Sequence, residues 1–188
     1  MTTFTARPID PTALKELRSA DDAGRPMTAV TDDEGGAPLR CCLRRSAPGE
    51  RIALVSYAPL RRWAAETGAE PGAYDEQGPV FIHADGCPGP EGDGYPFANA
   101  HRTVRRYSAE GHILGGRLVE DPATLDAAFA EAFADPEVVL VHVRAVEYGC
   151  FLYEVRALAP ERLLRPIGSV PRQRMAESNA ALRRHLAL

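Results

Sequence analysis

Hydrophobic residues in this chain occur mostly as short runs and two-residue alternations, which is the pattern typical of β-strands. Strands are predicted at "RIALVSY" and at "GPVFIHA", a continuous apolar run rich in β-favouring side chains. Two hairpins follow, "TVRRYSAEGHILGGRLV" with its turn at "SAEG", and "VVLVHVRAVEYGCFLYEV". The pattern therefore predicts strands that are joined mainly by local connections.

One segment, residues 121–135, has the periodicity of an amphipathic helix. Asp121 can cap its first turn, and Pro122 suits the first helical position. Its apolar residues recur at i, i+4 and i+8 and are Leu125, Phe129 and Phe133. We expect this helix to bury that stripe against the sheet.

The 188 residues are enough for one domain with its own core, and we predict a single domain over residues 1–188. Its N-terminal part, 1–37, offers only one short helix at "PTALKELRSADDAG", and a basic tail, 170–188, is expected to be helical. Strand-rich segments around one clear helix indicate an α+β fold with a mainly antiparallel sheet built from hairpins.

The second hairpin carries polar residues that its apolar pattern does not require. Alternation places Val141 and Val143 on one face, with Val139, and places His142 and Arg144 on the other. If the turn spans 145–149, Arg144 lies opposite Cys150, and His142 lies opposite Leu152. In that register Phe151, Tyr153 and Val155 join the valines in the core. The hairpin then presents His142, Arg144 and Cys150 as one polar patch.

Composition narrows the classes of function. The net charge of −4 argues against a nucleic acid partner, which needs a basic surface. No apolar run reaches the length of a membrane span, and the first residues do not resemble a secretion signal. We therefore expect a cytoplasmic protein whose cysteines are free thiols. Exposed strand edges favour a homodimer.

Three chemistries are open at the predicted site. In a thiol site, Cys150 acts as the nucleophile and His142 as its base, and Arg144 favours the thiolate or binds an anion. In a metal site, His83, Cys87, His142 and Cys150 supply ligands that zinc accepts. Neither His83–Cys87 nor His142–Cys150 has the close spacing of structural zinc sites, so we expect no metal and no other cofactor.

The third chemistry is recognition of a small anionic molecule, because guanidinium groups suit carboxylate and phosphate. The candidate ligand-binding residues are Arg40, His83, Arg106, Arg144 and Tyr148.

The segments "GPVFIHA", "RRYSAEGHILGG" and "HVRAVEYGCFLYEV" together resemble a bacterial family of unknown function, domain of unknown function 1203. The similarity runs from about Pro38 to Arg156, and the Tyr-Gly-Cys turn with its upstream His is its most specific part. The family pattern has a Pro-Cys-Arg step before the first strand. This chain has Pro38-Leu39-Arg40 there and carries its thiols at Cys41 and Cys42. The resemblance implies a small bacterial cytoplasmic protein and no particular activity.

The sequence leaves two classes of function. In the first, the hairpin patch binds a small anionic ligand or a partner protein. In the second, the protein is a thiol-dependent enzyme that uses Cys150 with His142 and Arg144. We favour the binding class, because no third group is identifiable that would orient His142.

Overall fold

The structure is a computed structural model that describes residues 4–92 and 94–156. Its strands are β1 (Ala29–Asp32), β2 (Glu50–Tyr57), β3 (Gly78–His83), β4 (Arg102–Tyr107), β5 (Ile113–Val119), β6 (Leu140–Ala145) and β7 (Phe151–Arg156). Its helices are α1 (Pro11–Leu17), α2 (Pro59–Thr67) and α3 (Leu125–Ala134). The strands form a three-stranded sheet in the order β1-β2-β3 and a four-stranded sheet in the order β5-β4-β6-β7. All the pairings are antiparallel, which confirms the predicted α+β fold.

The predicted strands and hairpins correspond closely to β2 to β7. The turn of the β4–β5 hairpin contains Gly111 with φ of 85°, a left-handed conformation that suits glycine. The sequence pattern did not reveal β1, because it is only four residues long and none of its side chains is fully buried. The basic tail, residues 170–188, lies outside the described residues.

Helix α3 covers one face of the four-stranded sheet. Asp121 accepts a hydrogen bond from the backbone N–H of Ala123 at 2.9 Å, and a short 3₁₀ turn leads from there into the helix. Phe129 is completely buried and lies edge-on to Phe4 and Tyr95, with ring centroids 5.9 and 5.1 Å away. The helix packs against the valines of β6, as the periodicity predicted.

The other face of the same sheet is covered by α2 and the segment that follows it. Leu60 and Trp63 of α2 pack with Tyr107 and Leu140 in a small apolar cluster. Because both faces are covered, even the polar side chains on this second face lie largely out of water. This burial determines the environment of His142.

The three-stranded sheet has its own core, which includes α1 and the turn after residue 38. Phe151 of β7 belongs to this core and lies 5.5 Å from the ring of Tyr57. An isolated β-bridge between Leu39 and Phe81 attaches the turn to the edge of β3. The two sheets therefore meet near β3 and β7.

The register of the β6–β7 hairpin differs from the prediction. His142 pairs with Glu154 rather than Leu152, and Arg144 pairs with Phe151 rather than Cys150. The pairing next to the turn is shifted by one residue, and an irregularity between Val143 and Arg144, where β7 contains one extra residue as in a β-bulge, adds the second residue of shift at His142. Beyond this point Phe151 leaves the valine face and joins the other core.

Among the described residues, no helix combines the length and the apolar character that crossing a bilayer requires.

Replacing Phe129 by alanine should reduce the free energy of unfolding by about 3 kcal/mol or more, because the cavity lies in a fully buried site. The measurement is a denaturant melt. Glu131→Ala is the matched control on the same helix. It removes only an exposed ion pair with Arg117 and should change stability by less than about 1 kcal/mol. A Phe129→Ala loss as small as that of the control would contradict the packing described for α3.

Candidate metal centre

A tight turn between residues 39 and 44 places two adjacent cysteines at the edge of the three-stranded sheet. The backbone N–H of Leu39 donates to the carbonyl of Arg44 at 2.8 Å, and that of Leu43 donates to the carbonyl of Leu39 at 3.0 Å. Leu43 has φ of 59°, an unfavourable conformation for a leucine that the surrounding hydrogen bonds must impose. The N–H of Arg40 binds the carbonyl of Phe81 at 2.9 Å, which fixes the turn to β3.

Four potential metal ligands converge beside this turn: Cys41, Cys42, His83 and Cys87. One ligand atom from each residue lies within 4.8 Å of all the others. Cys41 and Cys42 are buried, with 1% and 5% of their surfaces exposed, whereas His83 and Cys87 are partly exposed. Three of the ligands come from the turn and the end of β3, and Cys87 comes from the glycine- and proline-rich segment after β3.

The distances within this cluster fit a tetrahedral zinc site. With Zn–S bonds of about 2.3 Å and Zn–N bonds of about 2.0 Å, a tetrahedron has S···S edges of about 3.8 Å and N···S edges of about 3.5 Å. The sulfurs of Cys41 and Cys42 are 4.0 Å apart. Nδ1 of His83 lies 3.3 Å from the Cys41 sulfur and 3.8 Å from the Cys42 sulfur.

Backbone N–H groups point at both buried sulfurs. The N–H of His83 donates to the sulfur of Cys41 at 3.2 Å, and the N–H of Arg44 donates to that of Cys42. The hydrogen bond between the two thiols lowers the pKa of Cys42 and raises the pKa of Cys41, so the pair holds one proton most readily on Cys41. These donors favour sulfur that carries negative charge, which is the form that binds a metal.

The far side of the His83 ring faces a carboxylate. Nε2 of His83 lies 3.5 Å from Oε2 of Glu50, and Arg44 binds both oxygens of Glu50 at 2.9 and 2.7 Å. The hydrogen bonds from Arg44 lower the pKa of Glu50 to about 2, so this group is a carboxylate at neutral pH. With Nδ1 on a metal, the Nε2–H is left to donate to Glu50, the arrangement that commonly orients metal-binding histidines.

The donor set itself identifies the kind of ion. Three thiolates and one imidazole in tetrahedral positions are typical of zinc, whereas magnesium and calcium require oxygen ligands. A set of four protein ligands is typical of a structural rather than a catalytic zinc site, because a catalytic site keeps one position open. Arg44, whose pKa is raised chiefly by its hydrogen bonds to Glu50, adds a positive charge next to the thiolates.

The four-residue metal set considered from the sequence does not form. His83 and Cys87 do meet, but they meet Cys41 and Cys42 instead of His142 and Cys150. The reason is topological, because His142 and Cys150 belong to the other sheet. The sequence signal for the cluster was the pair of adjacent cysteines, Cys41 and Cys42, which the argument from ligand spacing did not consider.

His142 is completely buried, far from the solvated patch expected of it. Its ring lies 4.7 Å from that of Tyr107 and 5.1 Å from that of Phe151, and neither ring nitrogen has a hydrogen-bond partner. Oε2 of Glu154 lies 3.9 Å from its Nε2. Burial lowers the pKa of His142 well below its ordinary value of 6.5, so the imidazole is neutral. It makes no hydrogen bond to Cys150.

Two arginines hold the turn that carries Cys150. Nε of Arg144 donates to the carbonyl of Gly149 at 2.7 Å, and Nε of Arg40 donates to the carbonyl of Phe151 at 2.9 Å. Arg144 also pairs with Glu76 at 2.5 Å. Cys150 is partly exposed between these two carbonyls, and its sulfur lies 3.6 Å from the carbonyl oxygen of Tyr148.

The remaining predicted ligand-binding residues are dispersed. Tyr148 is 84% exposed at the tip of the hairpin turn. The guanidinium of Arg106 lies over Gly115 of the neighbouring strand, where it occupies the space that a side chain would fill. Neither residue contributes to the cluster around His83.

Comparison with known proteins gives one match. The family described as "Protein of unknown function (DUF1203)" matches residues 36–157, which contain all four residues of the cluster and the Cys150 hairpin. No curated protein and no solved structure matches the chain.

Burial of His142 predicts a pH dependence of stability. Below about pH 6.5 the unfolded chain binds a proton that the folded chain does not accept, so stability falls as the pH falls, by up to about 1.4 kcal/mol per pH unit. Burial raises the pKa of Glu154, which acts in the opposite direction above about pH 4.5. A variant without the imidazole separates the contribution of His142 from that of Glu154.

His142→Leu should be at least as stable as the parent at pH 7.5, because it removes two unpaired buried nitrogens. Between pH 6.5 and 5 its advantage should grow, as measured by denaturant melts at each pH. A constant difference between the two proteins over this range would show that His142 titrates normally.

Proposed function

Because the chain belongs to the DUF1203 family, whose function is unknown, we propose a function from its geometry: it binds one Zn²⁺ ion through Cys41, Cys42, His83 and Cys87. The observation that carries the proposal is the convergence of four zinc-type ligand atoms within 4.8 Å. The zinc is structural and joins the turn after residue 38, the end of β3 and the segment that carries Cys87. A reducing cytoplasm, which we also propose, keeps the thiols available for the metal.

The cluster is better explained by a metal than by packing alone. A buried cysteine is often simply a small apolar residue. Here, however, both buried sulfurs accept hydrogen bonds from backbone N–H groups. The imidazole of His83 lies beside them with Nδ1, and its Nε2 faces the carboxylate of Glu50. A strained turn at Leu43 holds the two sulfurs in this position. Packing alone requires none of these features.

Protein expressed without a histidine tag should contain about one zinc per chain by elemental analysis. Cys87→Ser should contain well under one, because the substitution removes a ligand at a partly exposed position and leaves a side chain of similar size against the core. Cys150→Ser is the matched control and should keep its full zinc content. Parent protein that neither contains zinc nor takes it up in a titration would overturn the proposal.

The carboxylate behind His83 gives a second, finer test. Glu50→Gln should weaken zinc binding 10- to 100-fold, the usual effect of removing the partner of a metal-bound histidine. The measurement is competition with a chromophoric chelator of known affinity. Glu131→Gln, a change of the same kind on an exposed carboxylate of α3, should have no effect.

A second function, binding of a small anion at the Cys150 turn, is favoured by one observation. Arg40 is 97% buried, since only 3% of its surface is exposed, yet within the described residues it forms no ion pair with a carboxylate. Its guanidinium donates to the carbonyls of Pro38 and Phe151. Burial lowers the pKa of Arg40 to about 10, and ionised Cys150 is the one neighbouring charge that acts to raise it. A bound carboxylate or phosphate would compensate this charge.

Two alkylating reagents that differ in charge test the anion site. The quantity measured is the rate of alkylation by iodoacetate divided by the rate of alkylation by iodoacetamide. For Cys150 this ratio should be about five times the ratio measured for glutathione, because one charge pair near the surface contributes up to about 1 kcal/mol. Inorganic phosphate should slow only the iodoacetate reaction. An equal ratio in the protein and in glutathione would exclude an anion site at this turn.

A further inference from the structure

We infer that the zinc centre is an oxidation-sensitive one, in which a hydroperoxide converts Cys87 and Cys42 into a disulfide and thereby releases the metal. The inference rests on the proposed zinc binding and adds the regulation of that same site. It follows from three features of the cluster, namely which thiol is accessible, which thiol can pair with it and how the segment carrying Cys87 is tethered.

Cys87 is the thiol that an oxidant reaches first. Cys41 and Cys42 expose 1% and 5% of their surfaces, whereas Cys87 is partly exposed. Cys87 also follows β3 at a position outside helix and strand, so sheet hydrogen bonds do not restrain it. Susceptibility of a cysteine to oxidation follows thiolate character and exposure, and zinc coordination supplies the first.

The thiol that pairs with Cys87 is Cys42. Cys41 and Cys42 are neighbours in the chain, so their Cα atoms are about 3.8 Å apart. This is shorter than the Cα separations of at least about 4.4 Å found in ordinary disulfides, so these two thiols do not readily bond to each other. The Cys87 thiol lies within 4.8 Å of the Cys42 sulfur, and its interaction with Cys42 helps to lower the pKa of that thiol. The Cys41 sulfur is fixed by the N–H of His83.

The reaction balances with one equivalent of hydroperoxide. The Cys87 thiolate attacks the peroxide, its O–O bond breaks, and the products are a Cys87 sulfenic acid and an alkoxide, or hydroxide when the oxidant is hydrogen peroxide. The Cys42 thiolate then attacks the sulfenic sulfur, the S–S bond forms and hydroxide leaves. Zinc keeps only Cys41 and His83, which are too few to hold it. A dithiol reductant reverses the disulfide by exchange.

Anchors beyond Cys87 keep this thiol near its partner after the metal has left. The hydroxyl of Tyr95 donates to the carboxylate of Asp126 in α3, and the carbonyl of Phe97 accepts a hydrogen bond from Arg102 at the start of β4. Together with the end of β3, these contacts hold both ends of the segment. The same site can therefore re-form when the disulfide is reduced.

The test uses the zinc-loaded, full-length protein and hydrogen peroxide. Zinc release is followed with 4-(2-pyridylazo)resorcinol, and disulfides are mapped by mass spectrometry after the remaining free thiols have been alkylated. We expect one zinc released per chain, a Cys42–Cys87 disulfide as the main product, and recovery of zinc binding after dithiothreitol and added Zn²⁺. Cys150→Ser, which leaves the centre intact, should behave like the parent.

The outcomes separate this inference from the zinc proposal. Protein that fails to bind zinc before any peroxide is added overturns the proposed function itself. Protein that binds zinc and retains it while Cys150 is oxidised overturns only the oxidation sensitivity. Release with a Cys41–Cys42 disulfide, or with sulfinic acids and no disulfide, also overturns the assignment of Cys42 and Cys87.

Discussion

The candidate centre depends on the hydrogen bonds that attach the turn after residue 38 to strand β3. The N–H of Arg40 binds the carbonyl of Phe81, and the N–H of His83 binds the sulfur of Cys41. These two contacts, two residues apart along β3, hold the turn alongside the strand. They therefore keep the side chains of Cys41, Cys42 and His83 close together.

The covering of both faces of the four-stranded sheet explains why polar groups lie in the interior of this small protein. The four-stranded sheet is covered on one face by α3 and on the other by α2, and the three-stranded sheet adjoins it through Phe151. Polar residues on the second face, such as His142 and Glu154, are therefore enclosed although their strand pattern is that of a half-exposed hairpin. Neutrality of the imidazole and pairing of Glu154 with Arg156 at 2.5 Å limit the resulting electrostatic cost.

The sequence predicted the parts of the fold that depend on local pattern. The valines of β6 and the Phe129 stripe identified their faces correctly, because alternation and helical spacing are properties of neighbouring residues. Neither the one-residue shift at the turn nor the extra residue in β7 had a local signature, so the pairing of His142 with Glu154 was missed. The centre was missed for a related reason. It depends on the left-handed conformation of Leu43 and on contacts across about 40 residues between Cys41 and His83, and neither follows from spacing alone.

Arg40 supports both candidate sites. Its backbone fixes the turn that carries Cys41 and Cys42, while its side chain holds the Phe151 carbonyl beside Cys150. One residue thus belongs to the supports of the metal cluster and of the hairpin turn. In thermodynamic terms, any energetic coupling carried by this residue is reciprocal: an anion that changes the affinity for zinc by some factor has its own affinity changed by zinc by the same factor.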